Sequence, residues 1–373
     1  VRDHSDESII QLQNTVLFGR LIRYSHPWSG NALLLVVFLH FLRVFFSGAL
    51  HPPRQFNWVL GLVMFFLTLG SKFTGDLLPW DQLAFWAITI CTGMLEYIPG
   101  IGIGLQKMIR GGGEIGPATL SNFFAVHTAI IPACLVILMP CHFWRVRKST
   151  GLVIPRTPLE DPAIRGETVA TIPNLIIREL AVAAVLVALI MVVSVFFNAP
   201  LEAKANPGLS PNPTKAPWYF AGLQELLLHF HPLFAVLIIP AATVTGLFLL
   251  PYMRYDADTA GVWFASLRGR RTAIVAVVVA LVITPPAFSA DEFLFDFAAW
   301  LPGVPAVISN GLLPAVLVLA GIIGFYGLMK RYYAANKNEA VQAVFVLLLI
   351  AFIILTITCI WFRGRGMALM WPG

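Results

Sequence analysis

Long apolar windows are the feature that most restricts how this chain of 373 residues can fold. Eight windows of about 18 or more residues carry almost no charge, which is typical of membrane-spanning helices. We number them spans 1 to 8, and they lie near residues 31–50, 57–78, 118–143, 174–197, 232–251, 272–287, 311–329 and 341–361. Because 58% of the residues are hydrophobic and only 12% are charged, the sequence predicts an all-α, polytopic membrane helix bundle.

The charged residues are distributed unevenly between the two sets of loops. Most of the Lys and Arg residues lie in the loops after spans 1, 3, 5 and 7 or at the adjoining span ends, whereas most of the acidic residues lie elsewhere. The positive-inside rule therefore places those four loops in the cytoplasm and both ends of the chain on the outer side. The net charge of +6 thus reflects membrane orientation and does not indicate nucleic-acid binding.

Four cysteines occur, all in apolar stretches and without a CxxC or CxxCH motif. This pattern argues against a disulfide framework, an iron–sulfur site and covalent c-type haem attachment. Of the eight histidines, His4 and His51 lie in polar segments, where we expect them to be solvated, and two more lie beside Pro232.

The four remaining histidines form two pairs, one in the region of span 1 and one in span 3. Fourteen residues separate His26 from His40, which is roughly 21 Å along a helix with about 40° between the side chains. Fifteen residues separate His127 from His142, which is roughly 22 Å along a helix with about 60° between the side chains. We expect kinks at two prolines in span 3 to compensate for this angle. Since spans 1 and 3 run in the same direction, His26 and His127 share an outer level, and His40 and His142 share an inner level.

Two imidazoles at each level, without a third or fourth ligand nearby, predict haem iron rather than zinc. Packing or proton-relay histidines in a haem-free transporter are the alternative. Gly61 and Gly75 are also fourteen residues apart, and we expect them to let a flat macrocycle approach span 2, unless they serve ordinary helix packing. Arg23 and Arg43 lie three residues from the histidines of span 1, where they suit haem propionates or act as snorkelling anchors.

Four longer motifs add to the histidines and glycines. They are "FTGDLLPWDQLAFWA" (73–87), "IPGIGIGLQKMIRGGGEIGPATLSNFFAVHTAI" (98–130), "NPTKAPWYF" (212–220) and the ending "FRGRGMALMWPG". Together they resemble the dihaem cytochrome b of quinol:cytochrome c oxidoreductases over nearly the whole chain. The spacing in span 3 is closer to the chloroplast type, but this chain is not split after that span.

The resemblance implies a haem-binding four-helix-type bundle in residues 1–150, a cytoplasmic linker in 151–173 and a C-terminal transmembrane half in 174–373. It also implies two b-type haems, quinol as substrate, a Rieske iron–sulfur protein and a c-type cytochrome as partners, and a homodimeric complex in the lipid of a bacterial cytoplasmic membrane. One electron from quinol would reach the Rieske protein, and the other would cross the membrane to an inner quinone site, coupled to proton translocation. A dihaem anchor of another quinone-linked dehydrogenase or reductase is the alternative function.

The resemblance implies an outer quinol site built by residues 80–115 together with Pro217, Trp218 and Tyr219. The family commonly has a carboxylate where Pro217 stands, so we expect another group to accept the quinol proton. Glu225 lies two helical turns past Trp218 and is the first candidate, with an ordinary charge partner as the alternative. Asp76 is the second candidate.

The inner quinone site is expected at the adjacent residues Arg178 and Glu179, where the family often has a Lys-Asp pair. An interfacial ion pair at the end of span 4 is the alternative. The family has a further helix before span 1, which we expect to come from preceding residues or from a separate chain. Whether a third haem is present stays open. The bond between His26 and Pro27 predicts either a helix that starts at Pro27 or a kinked helix.

Overall fold

The computed structural model describes residues 5–149, 151–161, 169–256 and 258–371, with side chains from residue 7 onward. Within these ranges the chain forms helices and isolated bridges but no β-strand. Eight helices are long and apolar enough to cross a membrane, namely Gly19–Phe46, Gln55–Leu77, Pro117–Lys148, Thr171–Phe196, Phe234–Tyr252, Leu267–Phe293, Ile308–Tyr332 and Lys337–Trp361. The predicted number of spans and the all-α class are confirmed.

Span 1 begins at Gly19, well before the predicted start of the apolar window. The helix continues through Pro27 to Phe46. Pro27 has no amide hydrogen, so the helix loses one backbone hydrogen bond there without ending. The helix therefore includes His26, and the alternative that Pro27 opens the helix is wrong.

Three spans contain a turn of π-helix, at Val126–Ile130, Phe234–Ile238 and Ile308–Leu312. In span 3 the amide of Ile131 bonds to the carbonyl of Val126, five residues back, and Pro132 follows directly. A proline also lies two residues after each of the other π-turns. Proline cannot donate the bond that would continue a regular helix, which favours the wider turn before it.

The π-turn of span 3 corrects the prediction that proline kinks alone align His127 with His142. A π-bulge accommodates one extra residue within an α-helix. The fifteen-residue spacing of span 3 therefore behaves as the fourteen-residue spacing that separates His26 from His40 in span 1.

Short helices connect the spans near the predicted quinol site: Gln82–Gly93, Met94–Tyr97, Gly102–Arg110 and Ala221–His229. Asp81 caps the first of them, because its Oδ1 accepts a hydrogen bond of 2.9 Å from the amide of Ala84. Its Oδ2 accepts another, of 3.0 Å, from the amide of Glu202. Asp81 thereby fastens the loop after span 4 to the end of span 2.

The two halves of the chain pack against each other through spans 1, 2, 6, 7 and 8. Small side chains at the contact of spans 6 and 8 allow a close approach of the helices, and these are Ala273, Ala276, Ala280, Ala340 and Ala343, all buried. Trp58 of span 2 is buried in the same core, and its indole N–H donates 2.8 Å to the carbonyl of Leu247 in span 5.

The linker 151–173 is described only in part, since residues 162–168 lie outside the described residues. Its first residues pack on the loop between spans 5 and 6, where the amide of Arg156 donates 3.0 Å to the carbonyl of Gly261. The same loop covers His51, which is buried at 8% exposure and contacts the ring of Tyr255. The expectation of a solvated His51 is therefore wrong, and His4 lies outside the described residues.

Candidate functional site

The outer pair of histidines comes together as the helical arithmetic predicts. The ring centroids of His26 and His127 are 6.1 Å apart and their planes are perpendicular. A metal–imidazole bond of about 2 Å on either side of one iron separates two ring centroids by about 6 Å. The spacing therefore fits a single iron held between the two rings.

The ring of His127 is oriented by span 2. Its Nδ1 lies 3.0 Å from the carbonyl oxygen of Ser71 and 3.2 Å from the hydroxyl of Thr74. A carbonyl can only accept, so Nδ1 carries the hydrogen and Nε2 keeps its lone pair. A hydrogen bond from the second ring nitrogen to a backbone carbonyl is the usual support of a histidine that binds a metal.

The inner pair lines one cavity, in which His40 and His142 lie together with Gly61, Arg43 and Arg54. The Nδ1 atom of His142 is buried and makes no hydrogen bond, unlike Nδ1 of His127.

Span 2 supports both levels with the same short pattern. Gly75 follows the carbonyl of Ser71 by four residues, and Gly61 follows Asn57 by four. A Cβ atom at position 75 would lie 2.6 Å from Cε1 of His127, and one at position 61 would lie 3.5 Å from Cε1 of His142. Each glycine thus leaves room for an imidazole of span 3, whereas the sequence predicted room for the macrocycle itself.

The donor set of these levels matches haem better than a metal ion bound by protein alone. In the part of the chain that the structure describes, no three His, Cys, Asp or Glu side chains converge as a metal site. Two imidazoles per level are the axial ligands that a haem iron needs, since the porphyrin supplies the other four.

The two arginines predicted beside the haem propionates differ in their surroundings. Arg23 donates hydrogen bonds of 3.0 Å and 2.9 Å to the carbonyls of Ala199 and Pro200, so it ties span 1 to the loop after span 4. Arg43 is exposed and lines the inner cavity. The assignment of both arginines to haem propionates stays a prediction.

The loop with Pro217, Trp218 and Tyr219 lies against spans 1 and 2. The indole N–H of Trp218 donates 3.1 Å to Oδ1 of Asn31 in span 1. The hydroxyl of Tyr219 donates 2.7 Å to Oδ2 of Asp76 in span 2. The structure therefore brings the predicted loop close to the outer histidine level, because Asp76 directly follows Gly75.

Asp76 has a second partner that the sequence reasoning missed. Lys72, one helical turn earlier, binds Oδ1 of Asp76 and also lies over the ring of Tyr219 at 5.6 Å. An isolated lysine within an apolar span is costly without a partner. Its position four residues before Asp76 in an apolar helix could have indicated this ion pair from the sequence.

Glu225 is fully buried and belongs to a separate ionic cluster. Nε of Arg363 donates 3.0 Å and Nη2 donates 2.6 Å to its Oε1. His229 lies 3.4 Å from the same oxygen and donates 2.7 Å to Asp291 through Nδ1. Burial alone would raise the pKa of Glu225, but the hydrogen bonds from His229 and Arg363 lower it.

These contacts bear on the first candidate for the quinol proton acceptor, which stays a prediction. A carboxylate with a lowered pKa, no exposed surface and an arginine partner is a weak base. Glu225 therefore fits the alternative role of a charge partner. The sequence could not indicate its partner, because Arg363 lies 138 residues away.

The two residues predicted for the inner quinone site, Arg178 and Glu179, lie on span 4 with exposed side chains. Adjacent residues of a helix point about 100° apart. No ion pair joins them in the described portion of the chain. Their assignment to a quinone site stays a prediction.

Comparisons with known proteins identify relatives of the N-terminal half. The family described as cytochrome b (N-terminal)/b6/petB matches residues 31–206. The menaquinol:cytochrome c reductase cytochrome b subunit of Geobacillus thermodenitrificans is 42% identical over 144 residues, which cover 38% of this chain and 64% of that protein. Cytochrome b6 of Synechococcus elongatus is 40% identical over 142 residues, covering 38% of this chain and 66% of that protein.

A solved structure matches nearly the whole chain. A chain of a "Hyperthermophilic respiratory Complex III" has a TM-score of 0.66 and 21% identity, and the match covers 93% of this chain and 84% of that one. At this identity the likeness shows a common fold. The chain spans slightly less than two thirds of the length of the curated relatives named above.

Proposed function

We propose that this chain, whose residues 31–206 match the family described as cytochrome b (N-terminal)/b6/petB, is the dihaem subunit of a quinol:cytochrome c oxidoreductase. As a cytochrome b it is a haem protein, and its eight apolar helices make it a multi-pass membrane protein. The proposal adds the number of haems, the substrate and the partners. Relatives described as menaquinol:cytochrome c reductase subunits support it.

The pairing of histidines at two levels carries the proposal. The ring centroids of His26 and His127 are 6.1 Å apart. His40 and His142, which lie fourteen and fifteen residues further along their helices, line one cavity. His26 and His127 would hold the outer haem, and His40 and His142 the inner haem. The helical rise separates the two levels by roughly 21 Å. When bound, each haem supplies a centre that accepts and releases one electron.

The residues of the chain give each level its geometry. Ser71 fixes the tautomer of His127 by accepting the hydrogen of Nδ1, which leaves the lone pair of Nε2 available to iron. Gly75 and Gly61 keep the span 3 imidazoles free of steric conflict. Arg43 supplies positive charge beside the inner level, where a propionate carboxylate would be favoured.

The outer quinol site in this proposal lies between the helices of residues 80–115 and the loop with Trp218 and Tyr219. Trp218 and Tyr219 are held by spans 1 and 2, in a position where they would orient quinol near His26 and His127. The partners would be a Rieske iron–sulfur protein and a c-type cytochrome, in a homodimeric complex of a bacterial cytoplasmic membrane. An inner quinone site beside Arg178 and Glu179 completes the proposed path.

A redox titration of membranes that contain the assembled complex tests the number of haems. We expect two b-type optical transitions of different potential in the wild type. His127→Leu should remove one of them and His142→Leu the other, because each loses an axial ligand. His231→Asn, a histidine outside both levels, is the matched control and should retain both transitions.

A single transition in the wild type, or two transitions that survive both ligand variants, contradicts the dihaem assignment. The alternative function, a dihaem anchor of another quinone-linked enzyme, makes a different prediction. Its purified complex would contain no Rieske protein and would not transfer electrons from quinol to a c-type cytochrome. The arrangement of Trp218 and Tyr219 beside Asp76 favours the first function.

A further inference from the structure

We propose that Asp76 receives the proton of quinol through the hydroxyl of Tyr219, while Lys72 holds the carboxylate in place. This inference rests on the proposed function of the outer quinol site. Pro217 stands where the family resemblance implies a carboxylate, so the site needs another proton acceptor. Asp76 is the carboxylate that the structure joins to the loop of that site.

The geometry of Tyr219 suits a proton relay. Its hydroxyl hydrogen is directed to Oδ2 of Asp76 at 2.7 Å, so the oxygen lone pairs remain available to a hydroxyl of quinol. Burial first, and then the negative charge of Asp76, raise the pKa of Tyr219 well above its ordinary value. Tyr219 therefore stays neutral and can pass a proton on, but it cannot serve as the final acceptor.

The surroundings of Asp76 suit the final acceptor. Lys72 binds Oδ1 and is nearly buried at 9% side-chain exposure, whereas the side chain of Asp76 is 31% exposed. The ammonium group holds the carboxylate in place within the apolar span, and the exposed part provides a route for release. Glu225 also has a cationic partner, Arg363, but it is fully buried and has no such route.

The step balances as follows. Quinol loses two electrons and two protons when it becomes quinone, and the proton of the hydroxyl that does not face Tyr219 passes to outer water. Under the proposed function, the iron–sulfur protein would accept one electron, and a haem held by His26 and His127 would accept the other. The proton of the quinol hydroxyl that faces Tyr219 moves to the phenol oxygen, while the original hydrogen of Tyr219 moves to Asp76. Asp76 then becomes a neutral acid and releases its proton to outer water.

The test measures quinol-driven haem reduction in membranes that contain the complete complex. Menadiol, a naphthoquinol, is added rapidly and the b-type absorbance is followed with time. We expect Asp76→Asn to slow the reduction about 10²-fold, the usual loss when a positioned base is removed. Asp76→Glu should restore most of the rate. Glu202→Gln removes an exposed carboxylate of the neighbouring loop and should leave the rate unchanged.

The relay itself is tested by Tyr219→Phe, which removes only the hydroxyl. We expect a comparable loss, and no further loss when Tyr219→Phe is combined with Asp76→Asn, because the two residues act in one path. Haem content and the reduced b-type band should be the same as in the wild type. If Asp76→Asn assembles without haem, Tyr219→Phe carries the same test.

The outcomes separate this inference from the proposed function. If wild-type membranes show no haem reduction by menadiol, the proposed function fails and the inference fails with it. If the wild type is active and Asp76→Asn or Tyr219→Phe with normal haem content reduces haem within twofold of the wild-type rate, the inference alone is overturned. Additive losses in the double variant also overturn the relay.

Discussion

A methyl group at position 75 should damage the proposed outer haem site, whereas the same group at position 61 should be tolerated. In Gly75→Ala the new Cβ atom would lie 2.6 Å from Cε1 of His127. Carbon atoms pack at about 3.5–4.0 Å, so the ring must move by about 1 Å. In Gly61→Ala the corresponding distance to His142 is 3.5 Å, which is an ordinary contact.

The energetic cost follows from what the movement of His127 disturbs. Overpacking of this kind costs about 1–3 kcal/mol. A shift of about 1 Å also weakens the hydrogen bond from Nδ1 to Ser71, which contributes about 0.5–1.5 kcal/mol. Loss of such a support typically reduces the affinity of a metal site by about 10–100-fold. We therefore expect the outer haem of Gly75→Ala to bind weakly or to show a shifted potential.

The assay is a redox titration of the b-type absorbance together with the haem content of the purified complex. Gly75→Ala should alter or lose one of the two transitions and leave the other at its wild-type potential. Gly61→Ala is the matched control, because it makes the same chemical change fourteen residues away. Equal effects of the two variants, or a larger effect of Gly61→Ala, would refute the contact-based reasoning.

The ionic cluster around Glu225 yields two further predictions. Arg363→Met should lower the free energy of unfolding by about 3–5 kcal/mol, because it leaves the carboxylate of Glu225 buried without its arginine partner. The double variant Glu225→Gln with Arg363→Met should lose less stability in the same thermal-unfolding assay. Burial alone would lower the pKa of His229, but hydrogen bonds to Asp291 and Glu225 raise it to about 9. Because this folded-state pKa lies above the unfolded value of about 6.5, the stabilisation is fully present below pH of about 6.5 and is lost as pH rises towards about 9. His229→Gln should make the unfolding temperature depend less on pH over that window. If the unfolding temperature of the variant falls with pH as steeply as that of the wild type, this account is contradicted.

The sequence predicted the number of spans because hydropathy reports directly on helices in lipid. It placed the start of span 1 too late, since the segment from Gly19 to Asn31 continues the helix with Arg23, Ser25 and His26, which lower the hydropathy without breaking the helix. Helix continuation through polar residues depends on tertiary contacts such as that of Arg23 with Ala199. Those contacts cannot be derived from the apolar pattern.

The histidine pairing could be predicted because it depends on helical rise and rotation alone. The neighbours of Gly61 and Gly75 could not, because the spacing of fourteen residues is equally suited to a macrocycle and to the imidazoles of span 3. The choice between Asp76 and Glu225 was also out of reach. Their partners Tyr219 and Arg363 lie 143 and 138 residues away, and only packing brings them together.

The register of span 3 provides a last prediction that separates the π-turn from the helix around it. If the π-turn holds one extra residue, deleting Ala129 and replacing Pro132 by Ala should restore a regular helix with fourteen residues between His127 and His142. Both histidines would then keep their direction and depth, as His26 and His40 do in span 1.

We expect this variant to retain both b-type transitions in a redox titration. Deleting Ile137 instead leaves the π-turn in place and rotates one histidine by about 100° relative to the other, so one transition should disappear. Loss of a transition in the first variant, or two transitions in the second, contradicts the account of the π-turn. Because both variants shorten span 3 by one residue, a difference between them can come only from where the residue is removed and from Pro132.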